Sequence, residues 1–300
     1  MKTNILVIFA IILAAFFLLL YGYFIESNRL VVKEQDLKLN NWNKQLDGFR
    51  VLIISDLHIG TKRVGMENLQ RIVELSNQQG ADIIALLGDF DAESITYSSI
   101  TDEFIISTLD KLKAPNGVFA ILGNHDYKPV NVVKNILVNS QIHLLENKCQ
   151  NTFYNNQEIN ICGTGDLWHK NVDFAEIDNR KAYPTVLLTH NPDVFPLASE
   201  SVALTLSGHT HGGEIIVPLL GSPFVPSKYC QRYHKGRIVE NGKTLFVTSG
   251  IASLSRIRLF NPPEIVILNL YSAGEEGVKD TLRKHGLSDL FFIRNKRKYK

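Results

Sequence analysis

Five short apolar segments of this chain each end in residues that commonly bind metal ions. Each segment is rich in Val, Ile or Leu without polar alternation, which is typical of central strands covered on both faces. Ligand sites in layered α/β proteins form beyond the carboxyl ends of such strands. The sequence therefore predicts a buried sheet with one polar edge. The segments and the residues that follow them are VLIIS with Asp56 and His58, DIIALLG with Asp89, GVFAILG with Asn124, TVLLT with His190, and VALTLSG with His209 and His211.

Helical patterns separate the first three of these strands. The segment MENLQRIVELSNQQ places Leu69, Ile72 and Val73 on one stripe, and a glycine follows as a natural helix end. Two further segments, residues 101–113 and a stretch that starts at Pro129, carry similar apolar faces. The alternation of strands and helices predicts an α/β fold in which central β-sheets are flanked by helices.

The seven residues that follow the strands offer carboxylate and amide oxygens and imidazole nitrogens, and no thiolate. This set of donors suits Mn²⁺, Fe or Zn²⁺. The pairs Asp-x-His and His-x-His can aim two side chains at one point only from an extended or looped backbone, which the end of a strand provides. Gly88, Gly123 and Gly208 precede ligands, and glycine permits a close approach of backbone to a ligand. The histidines that we expect to be surface or packing residues are His143, His169 and His285.

In this order, the blocks D-x-H, G-D, G-N-H-D, H and G-H-x-H resemble the calcineurin-like metallophosphoesterase superfamily, over roughly residues 49–270. The stretches LDGFRVLIISDLHIG and SGHTHGGE resemble its membrane-associated bacterial branch of the YaeI/YkuE type. One position departs from that branch, because Glu214 stands where Gln is usual. The resemblance implies a layered metallophosphoesterase fold and a metal-dependent hydrolase of phosphoric esters.

The resemblance also implies two divalent metal ions per chain, with Mn²⁺ as the first expectation and Fe or Zn²⁺ as alternatives. Asp89 would bridge the ions, because two cations about 3.5–4 Å apart need a shared anion. The first ion would be held by Asp56, His58, Asp89 and His211. The second ion would be held by Asp89, Asn124, His190 and His209.

Catalytic roles follow from the same resemblance. A hydroxide that bridges the metals would attack phosphorus, and His125 would act as the acid or would stabilise the leaving oxygen. Asp126 would orient or charge His125. Two arginines near the NPPE motif, Arg256 and Arg258, are expected to bind a substrate phosphate, with a solvated surface position as the alternative.

The N-terminal segment Ile5–Phe24 contains 20 residues without a charge. At about 1.5 Å per residue it spans a hydrocarbon core of roughly 30 Å, so we expect a retained single-pass anchor in the cell (inner) membrane. A cleaved signal peptide is the alternative, but the run exceeds a typical h-region and lacks a small-x-small site. Arg29, Lys33 and Lys38 favour a cytoplasmic body. A short basic N-terminus is also typical of exported signal-anchors, so the orientation stays open.

Charge is distributed unevenly along the chain. The total is +2, but residues 25–293 contain 26 basic and 30 acidic residues, a net charge of −4. An acidic body argues against nucleic acid as a partner, because the phosphates of nucleic acid bind to basic clefts. The basic residues 294–300 either contact anionic lipid or form a solvated end. The three cysteines are too few for a disulfide scaffold, and we expect them to be ordinary small core residues.

These observations predict four regions and one leading function. We expect hydrolysis of a phosphodiester or diphosphate on a phosphorylated small molecule or lipid, with membrane lipids as partners and UDP-2,3-diacylglucosamine as one candidate substrate. The alternatives are a nuclease or protein phosphatase of the same superfamily and a membrane-tethered scaffold without turnover. The regions are an anchor (1–24), a linker with an entry strand (25–48), a metallophosphoesterase domain (49–270) and a basic tail (271–300).

Overall fold

Two six-stranded sheets form the centre of the molecule. The computed structural model describes residues 2–91, 100–180, 182–253 and 255–274, and these residues contain twelve strands. In chain order the strands are β1 (Val31–Leu39), β2 (Phe49–Ile54), β3 (Ile83–Leu86), β4 (Val118–Ala120), β5 (His143–Leu144), β6 (Lys148–Tyr154), β7 (Gln157–Gly163), β8 (Thr185–Leu188), β9 (Val202–Ser207), β10 (Gly236–Glu240), β11 (Lys243–Val247) and β12 (Glu264–Ser272).

Helices accompany the sheets on their outer faces. Three of them pack against the first sheet and a short one packs against the second. The N-terminal helix is different, because its apolar side chains are largely exposed and the span Asn4–Asn28 is long and apolar enough to cross a membrane. In chain order the α-helices of the described residues are α1 (Lys2–Phe24), α2 (Met66–Asn77), α3 (Asp102–Leu109), α4 (Val130–Asn139) and α5 (Ala175–Asp178).

The order of the strands brings the predicted ligand loops together. The first sheet has the order β1-β12-β2-β3-β4-β5, and the second has the order β10-β11-β9-β8-β7-β6. Strands β2 to β5 are parallel to one another, and so are β7, β8, β9 and β11. Parallel strands end at the same edge of a sheet, so the loops after β2, β3 and β4 share one edge and those after β8 and β9 share another.

The two faces of each strand pack into different parts of the core. Val51 and Ile53 of β2 face the second sheet, where they join Val186 of β8 in one buried cluster. Leu52 and Ile54 face the other way and pack with α2, α3 and α4. Both faces are therefore apolar, which explains why the strand segments lack polar alternation. The predicted α/β fold with central sheets flanked by helices is confirmed.

The segment between the N-terminal helix and the domain contributes to the first sheet. Strand β1 pairs with β12 in parallel, from Val31 opposite Glu264 to Leu39 opposite Ser272. The described part of the domain therefore begins before residue 49, and its last strand extends beyond residue 270. The division into four regions stays a prediction, and the basic residues 294–300 lie outside the described residues.

Two of the three cysteines form a disulfide bond. Cys149 on β6 stands directly opposite Cys162 on β7, and the two sulfur atoms are bonded. Cys230 is free and exposed. The prediction of three ordinary core cysteines is therefore wrong, because the hairpin that places two of them face to face has no distinctive sequence signal.

Candidate metal centre

All seven predicted ligands lie just beyond the carboxyl ends of strands. Six of them are buried, and the seventh, Asn124, is half-buried with its side-chain oxygen hidden from solvent. The loops of both sheets meet here, as the strand order requires. Asp56 and His58 follow β2, Asp89 follows β3, Asn124 follows β4, His190 follows β8, and His209 and His211 follow β9.

Six of the candidate ligands form two clusters of three side chains, and Asp89 of one cluster lies next to a histidine of the other. Within each cluster, one ligand atom from every side chain lies within 4.8 Å of the others. Asp89 joins the two, because its Oδ2 lies 3.2 Å from His190 Nε2 and 3.6 Å from His58 Nε2. Metal–ligand bonds of about 2.0–2.2 Å place neighbouring ligand atoms roughly 3 Å apart, so this carboxylate is in position to bridge. The clusters are Asp56, His58 and His211, and Asp89, His190 and His209.

The backbone at five ligands adopts the left-handed region, which residues other than glycine rarely enter. Such conformations cost of order 1–3 kcal/mol each and concentrate at functional sites, where they aim a side chain that regular structure would point elsewhere. Here they let both members of each His- or Asp-x-His pair turn toward the centre. The φ angles are 55° at Asp56, 43° at His58, 55° at Asp89, 69° at His209 and 50° at His211.

Backbone carbonyls fix the orientation of three ligand imidazoles. The Nδ1 atom of His58 lies 3.2 Å from the Asp91 carbonyl, and that of His211 lies 3.1 Å from the Ala252 carbonyl. His190 Nδ1 lies 2.7 Å from the Leu87 carbonyl. A ring that donates its Nδ1 proton to a carbonyl presents Nε2 as a lone pair, which is the form that binds a metal.

Several buried ligand atoms have no hydrogen-bond partner in the described structure. They are His58 Nε2, His209 Nε2 and Asn124 Oδ1. A buried polar atom without a partner costs about 1–3 kcal/mol, and a cluster of such atoms around one point indicates a missing ligand. Imidazole, carboxylate and amide donors without thiolate fit divalent Mn, Fe or Zn. The residues therefore fit two divalent metal ions.

The charges of the two central residues depend on each other. Burial alone would raise the pKa of Asp89, but the neighbouring His190 and His58 hold that pKa well below its usual value. Burial opposes a charge on His190, yet the Asp89 carboxylate raises the pKa of His190 to about 10. Burial, together with the charge on His190, lowers the pKa of His209 to about 3. Without metal, the centre thus holds a proton on His190, which a metal ion would displace.

Glycine is required where the loops approach the ligands most closely. A Cβ atom on Gly123 would lie 2.2 Å from Asp89 Oδ1, and one on Gly208 would lie 2.7 Å from Asp56 Oδ2. Both distances are shorter than any real contact, so a side chain at either position would displace a ligand. The predicted need for glycine before these ligands is met at both positions.

Asp126 fastens two of the ligand loops together. Its buried carboxylate accepts four backbone N–H groups, those of Asp89, Phe90, Asp91 and Gly123, at 2.8 to 3.1 Å. These contacts hold the loop after β3 against the loop after β4. Asp126 is therefore a positioning residue for the Asp89 loop, and its expected action on the His125 ring stays a prediction.

The two predicted substrate arginines have different surroundings. Arg256 is exposed and lines a cavity of about 550 Å³ together with His58 and His125. Arg258 is fully buried, and its guanidinium donates to the backbone carbonyls of Ser249, Gly250, Ala252 and Asn261. The expected substrate contact of Arg258 is therefore wrong in this structure, because the side chain closes the loop after β11 instead.

Glu214, the residue that departs from the resembling branch, lies next to the centre without joining it. Its carboxylate accepts from Ser253 Oγ at 2.8 Å and from the Ser255 backbone at 3.0 Å. Burial would raise the pKa of Glu214, but His211 and the two serines hold it below its usual value. The extra negative charge therefore supports the loop that carries Arg256.

Several residues that surround the centre carry no recognisable signal in the sequence. Trp168 is exposed and meets the His209 ring edge-on, with ring centroids 4.6 Å apart. Lys62 and Arg63 line the same cavity as Arg256, and the end of α1 contributes Tyr23. We call this space the anchor-side cavity. Its lining residues are Tyr23, Phe24, Asn28, His58, Gly60, Thr61, Lys62, Arg63, His125, Ser253 and Arg256.

Two of the remaining histidines have packing contacts, as expected. His169 Nδ1 lies 2.8 Å from Asp166 Oδ2, and its ring stacks on Tyr127. His143 packs its ring near Phe119 at the edge of the first sheet. His285 lies outside the described residues.

Comparison with known proteins agrees with the geometry. The sequence model of the family described as "Calcineurin-like phosphoesterase" matches residues 49–213, which is more than half of the chain. The chain belongs to this family. The match covers the loops after β2, β3, β4, β8 and β9, and it ends just after the His-x-His pair. As a member of the calcineurin-like phosphoesterases, the protein is a phosphoester hydrolase with a fold of mixed sheets and helices.

Three similar proteins are named as a phosphodiesterase, a metallophosphoesterase and a pyrophosphatase. The chain is 34% identical to "Phosphodiesterase YaeI" of Escherichia coli over 74% of its own length and 82% of the relative. It is 29% identical to "Uncharacterized metallophosphoesterase YkuE" of Bacillus subtilis, over 84% of the chain and 90% of the relative. It is 24% identical to "UDP-2,3-diacylglucosamine pyrophosphatase LpxG" of Chlamydia muridarum, over 86% of the chain and 94% of the relative.

Proposed function

We propose that the protein hydrolyses a phosphodiester or diphosphate of a membrane or cell-envelope substrate, with two divalent metal ions. The observation that carries this proposal is the position of Asp89 Oδ2, which lies 3.2 Å from His190 Nε2 and 3.6 Å from His58 Nε2. A buried carboxylate between two ligand clusters is what a shared anion between two cations requires. When bound, two such ions activate water and neutralise the charge on phosphoryl oxygens.

His125 is the proposed proton donor to the leaving oxygen. Its ring lines the anchor-side cavity, with its centroid 5.1 Å from that of the His58 ring. Its backbone N–H donates to Asp89 Oδ1 at 2.9 Å, so the position of His125 follows that of the bridging carboxylate. Imidazole exchanges protons near neutral pH, which suits a general acid for an alkoxide or phosphate leaving group.

Mn²⁺ is the metal that we propose for the centre. The donor set mixes hard carboxylate and amide oxygens with imidazole, and it contains no thiolate that would select a softer metal. Fe and Zn²⁺ bind the same donor types, so reconstitution with each metal in turn decides between them.

A membrane substrate is supported by the N-terminal helix and by one relative. The apolar span Asn4–Asn28 would hold the domain at a bilayer, which we propose as a single-pass anchor in the cell membrane. The relative from Chlamydia muridarum is named for UDP-2,3-diacylglucosamine, a lipid diphosphate. That compound is the second candidate substrate, after an unspecified membrane phosphodiester.

The disulfide bond favours one side of the membrane for the catalytic domain. Disulfides persist in oxidising compartments and are rare in the reducing cytosol. The Cys149–Cys162 bond therefore supports a domain on the oxidising side, against the cytoplasmic orientation that Arg29, Lys33 and Lys38 favour. In intact cells, a thiol reagent should then label Cys230 alone until a reductant is added. Labelling of all three cysteines without reductant would place the domain on the reducing side.

The rival from another class is a tethered scaffold that binds without turnover. All seven ligand positions hold donor side chains, which a scaffold would not need. The test is to strip the full-length protein with a chelator, reload it with Mn²⁺, and assay bis(p-nitrophenyl) phosphate, p-nitrophenyl phosphate and UDP-2,3-diacylglucosamine. We expect Mn²⁺-dependent turnover of the diester or of the diphosphate. Two bound ions without turnover of any of the three substrates would favour the scaffold.

A further inference from the structure

The end of the N-terminal helix is attached to the catalytic domain at several points. The Gly22 carbonyl accepts the Arg258 backbone N–H at 3.3 Å, and a Cβ on Gly22 would lie 2.8 Å from the Arg258 carbonyl. Just after the helix, buried Glu26 accepts the Phe260 backbone N–H at 2.9 Å. Ser27 Oγ accepts the Arg258 N–H at 2.9 Å. The end of the helix is therefore packed against the domain and is not joined to it by a flexible linker alone.

Arg63 connects this helix end to the loops of the metal centre. Its guanidinium donates to the Tyr23 carbonyl at 2.9 Å, to Asn28 Oδ1 at 2.6 Å and to the Arg256 carbonyl at 2.7 Å. Its Nε atom is buried and has no hydrogen-bond partner among the described residues. The helix end, the loop after β2 and the loop after β11 thus form the walls of the anchor-side cavity.

The anchor-side cavity combines positive charge with an apolar wall. Lys62, Arg63 and Arg256 line it, and none of the described lining residues is acidic. Tyr23 and Phe24 of α1 form the wall on the helix side. His58, a predicted metal ligand, and His125, the proposed acid, also line the cavity. This lining favours an anionic occupant that also tolerates apolar surface along the helix.

An exposed apolar loop starts beside the segment that contacts the same helix end. The loop begins after Ile216, whose N–H donates to the Leu259 carbonyl at 2.9 Å, next to the Arg258–Gly22 contact. Leu219 has 107% relative exposure, the highest among the large apolar side chains of the described residues. A bilayer would best accommodate such exposed apolar side chains near an apolar, membrane-length helix. The exposed apolar residues of this region are Leu219, Leu220, Phe224 and Phe260.

We infer that the end of α1 and the cationic residues Lys62, Arg63 and Arg256 form a headgroup subsite, which receives the phosphate of a membrane lipid from the adjoining leaflet. The inference rests on the proposed function and adds a binding site to it. The acyl chains stay in the bilayer along α1 and beneath the apolar loop, while the headgroup reaches His58 and His125 through the cavity. The N-terminal helix is then a part of the substrate site as well as an anchor.

The experiment uses the full-length, Mn²⁺-loaded protein in phosphatidylcholine nanodiscs, with turnover of bis(p-nitrophenyl) phosphate as the reporter. Dioleoyl phosphatidic acid in the same nanodiscs is the lipid probe, and glycerol 3-phosphate is the soluble probe with the same phosphate. We expect the lipid to inhibit at a concentration at least about tenfold below that of the soluble probe. Equal inhibition by both probes would overturn the inference while leaving the proposed function intact. A wild-type protein that hydrolyses neither this reporter, nor p-nitrophenyl phosphate, nor UDP-2,3-diacylglucosamine would reject the proposed function instead.

Two double variants test whether the lipid probe binds to the cationic residues of the cavity or to positive surface charge in general. In Lys62→Ala/Arg256→Ala, the inhibition constant of the lipid probe should rise at least about tenfold, because two charged contacts to phosphate are lost. The matched control is Lys44→Ala/Lys148→Ala, which removes two exposed lysines that do not line the cavity. We expect that control to stay within about twofold of the wild type. An equal rise in both variants would overturn the subsite.

A third variant tests the apolar loop. Leu219→Asp/Leu220→Asp should raise the inhibition constant of the lipid probe relative to that of glycerol 3-phosphate. Its control is Phe153→Asp/Leu197→Asp, two exposed apolar positions that lie outside this loop. An unchanged ratio of the two constants in the loop variant would contradict bilayer contact at this surface.

Discussion

The metal centre and the anchor-side cavity are adjacent, but they are built differently. In the metal centre six of seven ligands are buried, and backbone carbonyls or amides fix the histidines and the loops that carry Asp89. In the cavity, Lys62 and Arg256 are exposed side chains at its mouth. The difference teaches that the candidate metal ligands are fixed in advance, whereas two of the three cationic groups that we propose for the substrate, Lys62 and Arg256, are exposed. Changes in the metal centre should therefore alter turnover and metal content, whereas changes outside both regions should not.

The largest effect is expected from loss of the bridging carboxylate. Asp89→Asn should lower kcat by about 10³-fold or more and reduce bound metal, because the amide removes the anion that both clusters share. Turnover of bis(p-nitrophenyl) phosphate and metal analysis of the purified variant measure the two effects. The control is Asp110→Asn, a surface aspartate that contacts Gln141. Retained turnover in Asp89→Asn would contradict the assignment.

His125→Ala should lower the rate of turnover without weakening metal binding. We expect turnover to fall by about 10²–10⁴-fold, which is typical for loss of a positioned acid, with the metal content unchanged. His169→Ala is a suitable control, because that ring packs on Tyr127 outside the two ligand clusters. A parallel loss of metal in His125→Ala would show that the residue supports the centre and does not act on the leaving group.

Metal affinity should depend on pH through His190. In the metal-free protein, burial opposes the charge, but Asp89 raises the pKa of His190 to about 10. Because the metal binds the neutral imidazole, binding below about pH 10 must release this proton. The apparent affinity should therefore fall as the pH falls, by up to about tenfold per unit. Calorimetric titration with Mn²⁺ in buffers of different ionisation enthalpy measures the released proton, and an absence of release at neutral pH would contradict this account.

The disulfide lies outside both regions, and its removal should leave catalysis nearly unchanged. Cys149→Ala/Cys162→Ala opens a link between residues 13 apart, which should lower the free energy of unfolding by about 3 kcal/mol. Thermal unfolding should shift by about 2–4 °C per kcal/mol. Cys230→Ala is the control and should shift neither stability nor turnover. A loss of turnover in the double variant at a temperature where it is folded would contradict the separation.

The two regions also differ in how far the sequence predicts them. The candidate ligands could be located together from the sequence because each follows an apolar strand in a short motif, and parallel strands bring their ends to one edge of the sheet. The cavity has no motif, since Tyr23, Lys62 and Arg256 are distant in sequence and meet only through the packing of α1 on the loops. Arg258 was misassigned for the same reason, because burial beside Ser249 and Ala252 depends on that packing.

The central claim is that Asp89 joins two metal ions in one centre. The most direct test is the electron paramagnetic resonance spectrum of the Mn²⁺-loaded full-length protein, recorded together with its metal content. We predict the spectrum of an exchange-coupled pair and about two ions per chain, since a carboxylate bridge holds the ions about 3.5–4 Å apart. The six-line spectrum of isolated Mn²⁺ with fewer than about one ion per chain would contradict the dinuclear centre.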